Sequence, residues 1–421
     1  MNIQKTIGAF ALVLWVGTGP ANATETKDVI RTYADVAHAM YEDSLNTAKT
    51  LKHAVSALVA IPTDATLLAA RSAWVTARIP YQQTEGLRFG NPIVDEWEGK
   101  VNAWPLDEGL IDYVDASYGT FSDANPAYTM NIIANKKVRI GPDMIDATEI
   151  TPAFLSGKLH EAQEVEANVA TGYHAIEFML WGQDLNGTGP GAGNRPASDF
   201  NVKNCTGGHC ERRVQFLTAA TDLLIADLQD MVAAWAPGGA ARMDIAGKSN
   251  KDAMATILTG LGSLSYGELA GERIKPGLLL HDPEEEHDCF SDNTTNSHYY
   301  NQEGMTAMSF GNYNRIDGSY VKGPSLADYA STKAPTAHTG MDKMMSATLT
   351  KMQVMKDTAD SGAMAYDQMI GEGNRAGNKI IQDVVDGLVA QTKSIEKLVT
   401  ALDLNISVEG SDSLDNPSSI Q

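Results

Sequence analysis

The chain has 421 residues, 43% of them hydrophobic, which is enough to bury a sizeable core and to form two domains or one large duplicated unit. Its formal charge of −21 argues against nucleic acid and anionic lipid as partners, since both need basic surface. The same charge suits a soluble protein that meets cations.

Lys5, the apolar run IGAFALVLWVG and the small residues Ala21-Asn22-Ala23 have the three-part layout of a secretory signal peptide, residues 1–23, with cleavage expected after Ala23. That run is too short for a stop-transfer helix, and no later segment reaches about 18 uninterrupted apolar residues, so no transmembrane segment is expected in the mature chain. The periplasm is the expected location, with the outer surface as the alternative. In such an oxidising compartment Cys205 and Cys210, which flank a Gly-Gly turn in NCTGGHC, are expected to pair, leaving Cys289 odd. A metal reading of Cys205, His209 and Cys210 is the weaker alternative.

Val29, Tyr33, Val36, Met40, Tyr41, Leu45, Leu51, Val55 and Leu58 recur at three- and four-residue spacings and predict an amphipathic helix over 27–60, which Pro62 ends. A second helix is expected from Asp64, kinked by Pro80 and closed by Gly90. Residues 91–128 show no sustained period and read as ordered loop with short helical turns. Residues 129–160 read as short pieces, with Pro142 and Pro152 as helix starts. A helix over 164–182 is followed by the Gly-, Asn- and Pro-rich loop GQDLNGTGPGAGNRP. Further helices are expected over 209–236, 250–278, 335–358 and 375–403, with an acidic loop at 281–300 and a disordered tail over 406–421. Strand-like alternation never persists, so the fold class is all-α, built as helical bundles. The expected organisation is one half over 24–205 and a second over 206–405. The segments TEGLRFG and GELAGERIKPG form a weak internal echo, each with Glu and Arg before a Gly.

Within ATGYHAIEFMLWGQD, His174 and Glu177 lie three apart on a helix that is otherwise apolar nearly all round, so both polar groups are expected to be buried on one face. An unpaired carboxylate there costs several kcal/mol, roughly, and must meet a cation, a donor or its own proton. One reading is a His–Glu pair satisfied within the core, with or without a buried arginine. The other is a pair of ligands for zinc, iron or copper, with further ligands from distant segments. HDPEEEHDCFSDN offers His287 and Asp292, while Glu284 and Glu285 read as a solvated charge run. The zincin pattern HExxH is absent, and the inverted form fails because Phe178 stands where its second histidine should be. A His-x-x-Glu set with His287 as a distant third ligand is similar to that of zinc carboxypeptidases, but those enzymes have an α/β fold.

ATGYHAIEFMLWGQD with its GxHxxE core, together with ARIPYQQTEGLRF, NAWPLDEGLIDY, LTGLGSLSYGELAGER and EEEHDCFSDNT, resembles the imelysin family, in its imelysin-like or iron-regulated protein A branch. The resemblance runs from about residue 30 to 400. It implies two helical-bundle halves related by duplication, with a cleft between them that GxHxxE faces. It also implies an exported protein linked to iron uptake or iron regulation, and a metallopeptidase as the alternative. His174 and Glu177 carry over as the motif pair, and Glu85, Arg88, Trp104, Asp107, Glu268, Arg273, His287 and Asp292 as residues near the cleft. The expected guest is a metal ion, iron favoured and zinc possible, or an iron-containing ligand, with an iron transporter as a possible partner. A cleft that takes haem, a siderophore or a polysaccharide is the non-metal reading.

Overall fold

Apolar residues at helical spacing build α1, Thr26–Ala60, which matches the expected first helix almost to the residue. This computed structural model describes residues 24–420, so the expected signal peptide, residues 1–23, lies outside the described residues. The chain turns at 61–63 into α2, Asp64–Gln82, where the Thr63 hydroxyl accepts from the Thr66 N–H and the Thr66 hydroxyl accepts from the Thr63 N–H. Pro80 stands in the last turn of α2, and the helix ends well before Gly90.

Several short elements depart from expectation. α3, Pro92–Asn102, occupies a stretch read as loop; Val94, Trp97 and Val101 give it a buried face too short to register as a period. Pro142 starts no helix. It lies in the turn between β1, Lys137–Ile140, and β2, Asp143–Asp146, an antiparallel hairpin whose turn takes Gly141 to φ +59°. The helix expected from residue 164 begins only at Gly172, because Glu161, Gln163 and Glu164 adopt left-handed backbone that no α-helix continues through. That shorter helix, Gly172–Trp181, is α4.

Next come α5, Cys210–Trp235, and α6, Asn250–Ser263, which runs on as a π-helix, Leu264–Ile274. α7, Thr294–Phe310, starts inside the segment expected to be an acidic loop, and α8, Pro335–Asp360, α9, Tyr366–Ile370, and α10, Arg375–Ala401, follow, with shorter helices between the longer ones. α1 packs on α2 and α5, and α4 is laid against both α2 and α5. On the other side α10 packs on α8 and on the π-helix, and α7 bridges α8 to α2. One hydrophobic cluster runs through all of these, from Val29 to Val399. The fold is all-α, with two-stranded hairpins as the strand structure among the described residues. No helix among them is long and apolar enough to cross a membrane.

Two further expectations meet the structure here. Cys205 and Cys210 form a disulfide, so their sulfurs are not metal ligands, and Cys289 is free. The tail expected to be disordered instead lies along the π-helix: Ser413 donates to the Gly271 carbonyl at 2.6 Å and Tyr266 to Asp415 at 2.7 Å. The physical reason is a row of glycines. A Cβ on Gly262 or Gly267 would come within 2.9 Å of Val408 or Glu409, so bare backbone is what lets the tail dock.

Candidate metal centre

Gly172 sets the position of α4. Its φ of +75° is left-handed, and a side chain there would run into the Val101 backbone at the end of α3. The Trp74 indole N–H of α2 fixes the same turn by donating to the Tyr173 carbonyl at 2.9 Å. Every residue of α4 is buried, as its apolar sequence requires, and His174 and Glu177 are 1% and 0% exposed.

His174 Nδ1 and Glu177 Oε2 are 3.1 Å apart. Glu177 Oε1 accepts from the Ser291 N–H at 3.0 Å and from its hydroxyl at 2.6 Å, so both carboxylate oxygens are engaged by the protein. Asp288 Oδ1 lies 3.9 Å from His174 Nδ1 and accepts from Arg78 Nη2 at 2.7 Å. Its second oxygen accepts from Asn293, at 2.8 Å, and from the Ser297 hydroxyl. Arg78, in turn, donates to Asn102 at 2.6 Å and sits over the rings of Trp74, Tyr81 and Tyr173.

The His287 ring stands 4.7 Å from that of His174, 5.6 Å from Trp104 and 6.2 Å from His298 of α7, centroid to centroid. One ligand atom each from His174, His287 and Asp288 falls within 4.8 Å of the others. His174 Nε2, both nitrogens of His287 and both of His298 are buried without a hydrogen-bond partner. A buried polar atom left unpaired costs about 1–3 kcal/mol, so this clustering calls for a guest or a function.

Burial, followed by the charge of Arg78, pushes His174 down to about 3, with Asp288 pulling the other way. Burial, then Arg273, does the same to His298, also to about 3, and burial drives His287 well below the usual range. Burial would raise Asp288, but Arg78, His174 and its hydrogen bonds outweigh this and hold it low. Glu177 moves the opposite way, raised by burial and then by the charge of Asp288. At neutral pH the centre therefore presents neutral imidazoles beside an ionised aspartate, the protonation states in which these groups bind metals.

The wider set of expected residues divides. Arg273 bridges Glu85 at 2.7 Å and Glu268 at 2.5 Å, and Arg88 reaches Glu268 at 3.4 Å, so the two echoing segments meet and exchange ion pairs. Arg88, Glu268, Arg273 and Trp104 line a cavity of about 440 Å³ whose wall includes His287. Asp107 lies elsewhere, accepting from Asn125 at 2.5 Å beside a second cavity of about 530 Å³ that Trp104 also lines. Glu284, read as part of a solvated charge run, is exposed, at the edge of that second cavity. Asp292 joins Glu286 and Asp367 instead of the imidazoles. Asp288, Arg78, Ser291 and His298 were not singled out from sequence. Asp288 follows His287 directly, and that adjacency was the one local signal available.

A model of the imelysin family, Peptidase M75, matches residues 37–395. The chain is 33% identical over 99 residues to "Iron-regulated protein A" of Synechococcus elongatus, an alignment covering 23% of this chain and 28% of that relative. It is also similar to the crystal structure of an iron-regulated protein A precursor from Parabacteroides distasonis, with a TM-score of 0.64 and 17% identity over 91% of this chain and 97% of that one.

Proposed function

This chain belongs to the imelysin family, and from that premise we propose that it is an exported, iron-related metal-binding protein. His174, His287 and Asp288 would supply the donor atoms, and Glu177 would hold His174 through Nδ1 while Ser291 anchors Glu177. The observation that carries this reading is the set of buried imidazole nitrogens without partners around an ionised aspartate. Two imidazoles and one carboxylate form a donor set that suits ferrous iron and also zinc, so iron is favoured on the relatives' names and zinc remains the rival. When bound, such an ion supplies a fixed positive charge and Lewis acidity.

The protein's own residues then account for selectivity and access. Arg78 keeps Asp288 ionised and therefore able to ligate, and Trp104, against His287, borders the cavity through which a guest would arrive. The acid-lined walls of both cavities favour cations over anions. Iron acquisition, with release to a transporter, is the role that fits such a centre.

A metallopeptidase is the second reading, favoured by the same two-imidazole, one-carboxylate set. It requires a carboxylate free to act as base, whereas both oxygens of Glu177 are held by His174 and Ser291. Metal analysis of protein purified without added metal, followed by ferrous and zinc titrations and a peptidase assay, separates the two. Binding of about one equivalent, lost in His287→Leu, with no cleavage of peptides, is the expected result. Metal-dependent cleavage abolished by Glu177→Gln would reverse the order.

A further inference from the structure

Glu286, Asp292 and Asp367 form a second group apart from the imidazoles, with one carboxylate oxygen from each falling within 4.8 Å of the others. Glu286 is 1% exposed and Asp367 0%. Glu286 Oε1, Asp292 Oδ1 and both oxygens of Asp367 have no hydrogen-bond partner. Several other buried acids of this protein are met by arginine. Asp112 meets Arg195 and Arg213, Glu85 and Glu268 meet Arg273, and Asp288 meets Arg78. Among the described residues these three acids have no such arginine or lysine.

We infer that Glu286, Asp292 and Asp367 form a second cation site, for a hard divalent ion of the calcium type. Three carboxylates so close and so buried repel one another and lose hydration, and a cation removes both penalties at once. An all-oxygen donor set selects calcium or magnesium over zinc or copper, which prefer imidazole and thiolate. Calcium is favoured, because it accepts irregular carboxylate cages and a variable number of waters, whereas magnesium demands near-octahedral geometry.

A second observation points to the same spot. The Tyr366 hydroxyl, beside Asp367 in the chain, is wholly buried and unpartnered, and Glu286 is the charged neighbour that adds to the effect of burial upon it. Burial and the charges of Asp367 and Asp184 raise Asp292 to about 7; burial and the Asp184 charge raise Asp367 to about 6. Asp184, whose charge reaches both of these acids, also lines the acidic cavity of about 530 Å³. An ion here would tie the segment 286–292 to the start of α9, where the Tyr366 ring meets His298 at 5.6 Å. The proposal stands whether or not the imidazole centre binds metal.

The test uses the full mature chain, stripped with EDTA and dialysed, then titrated with calcium chloride by calorimetry and by thermal unfolding. Wild type should bind calcium, with an unfolding temperature that climbs with the logarithm of its concentration. Asp367→Asn should bind at least about ten-fold more weakly, yet unfold in EDTA at the same temperature or higher, since it removes a repelling charge. Should that variant fail to fold, Asp292→Asn, at a partly exposed position, carries the same expectation. His287→Leu should keep the calcium response, which separates this site from the imidazole centre. No heat and no shift in wild type up to about 10 mM calcium would overturn the proposal, as would a response undiminished in both carboxamide variants.

Discussion

His287 has no hydrogen bond to lose, and that makes it the residue at which function and stability part most cleanly. Leucine there would remove two unpaired buried nitrogens while filling similar space, so His287→Leu should unfold at the same or higher denaturant concentration than wild type while failing to retain metal. An unfolding free energy lowered by more than about 3 kcal/mol would assign the ring a packing role instead. The same burial gives the metal-free protein a defined pH response. Free imidazole titrates near 6.5, but His174 and His298 are held to about 3, so between those values the unfolded chain takes up protons that the folded one refuses. Their contribution is complete above about 6.5 and is lost as the pH falls toward 3. Urea midpoints measured in EDTA across that window should decline, and less steeply in His298→Leu. From sequence, His174, Glu177 and His287 could be identified because imidazoles and a carboxylate in recognisable blocks are ligand types. Arg78 and Ser291 stand in such blocks too, but each acquires its role from a partner that only folding brings near.

At the scale of elements, the glycine of GxHxxE is explained by backbone geometry before any chemistry. Gly172→Ala should cost about 1–3 kcal/mol, from left-handed backbone and from collision with Val101, and should displace His174 along with the turn it begins. Paired thermal unfolding and metal titration would show both losses; a variant with wild-type stability would contradict the packing described. Long helices such as Thr26–Ala60 and Cys210–Trp235 could be read from their period, since many turns repeat the same apolar face. Pro92–Asn102 has too few turns to do so, and the left-handed residues around 161–164 carry no composition signal because Glu and Gln seldom take that conformation. The tail departs from expectation for a different reason. Its polar composition resembles disorder, and the glycine row that receives it lies far away in the chain.

Across the whole molecule, Arg273 joins segments 188 residues apart by pairing with Glu85 and Glu268, with Glu98 nearby and raised to about 7 by burial and the charge of Glu85. Arg273→Met would strand these acids in the interior and should cost about 3–5 kcal/mol, read from denaturant unfolding; a neutral result would mean that the acids simply take up protons. Family membership and the all-α class were both evident before the structure, whereas the pairing of the Glu-Arg echo and the separation of Asp292 from the imidazoles required it. The central claim is that His174, His287 and Asp288 hold a transition metal. X-ray absorption at the zinc edge of protein loaded with one equivalent tests it most directly. The account predicts imidazole scattering from two rings with oxygen completing the shell, and its loss in His287→Leu; an all-oxygen shell in the wild type, or a spectrum unchanged in the variant, would contradict it.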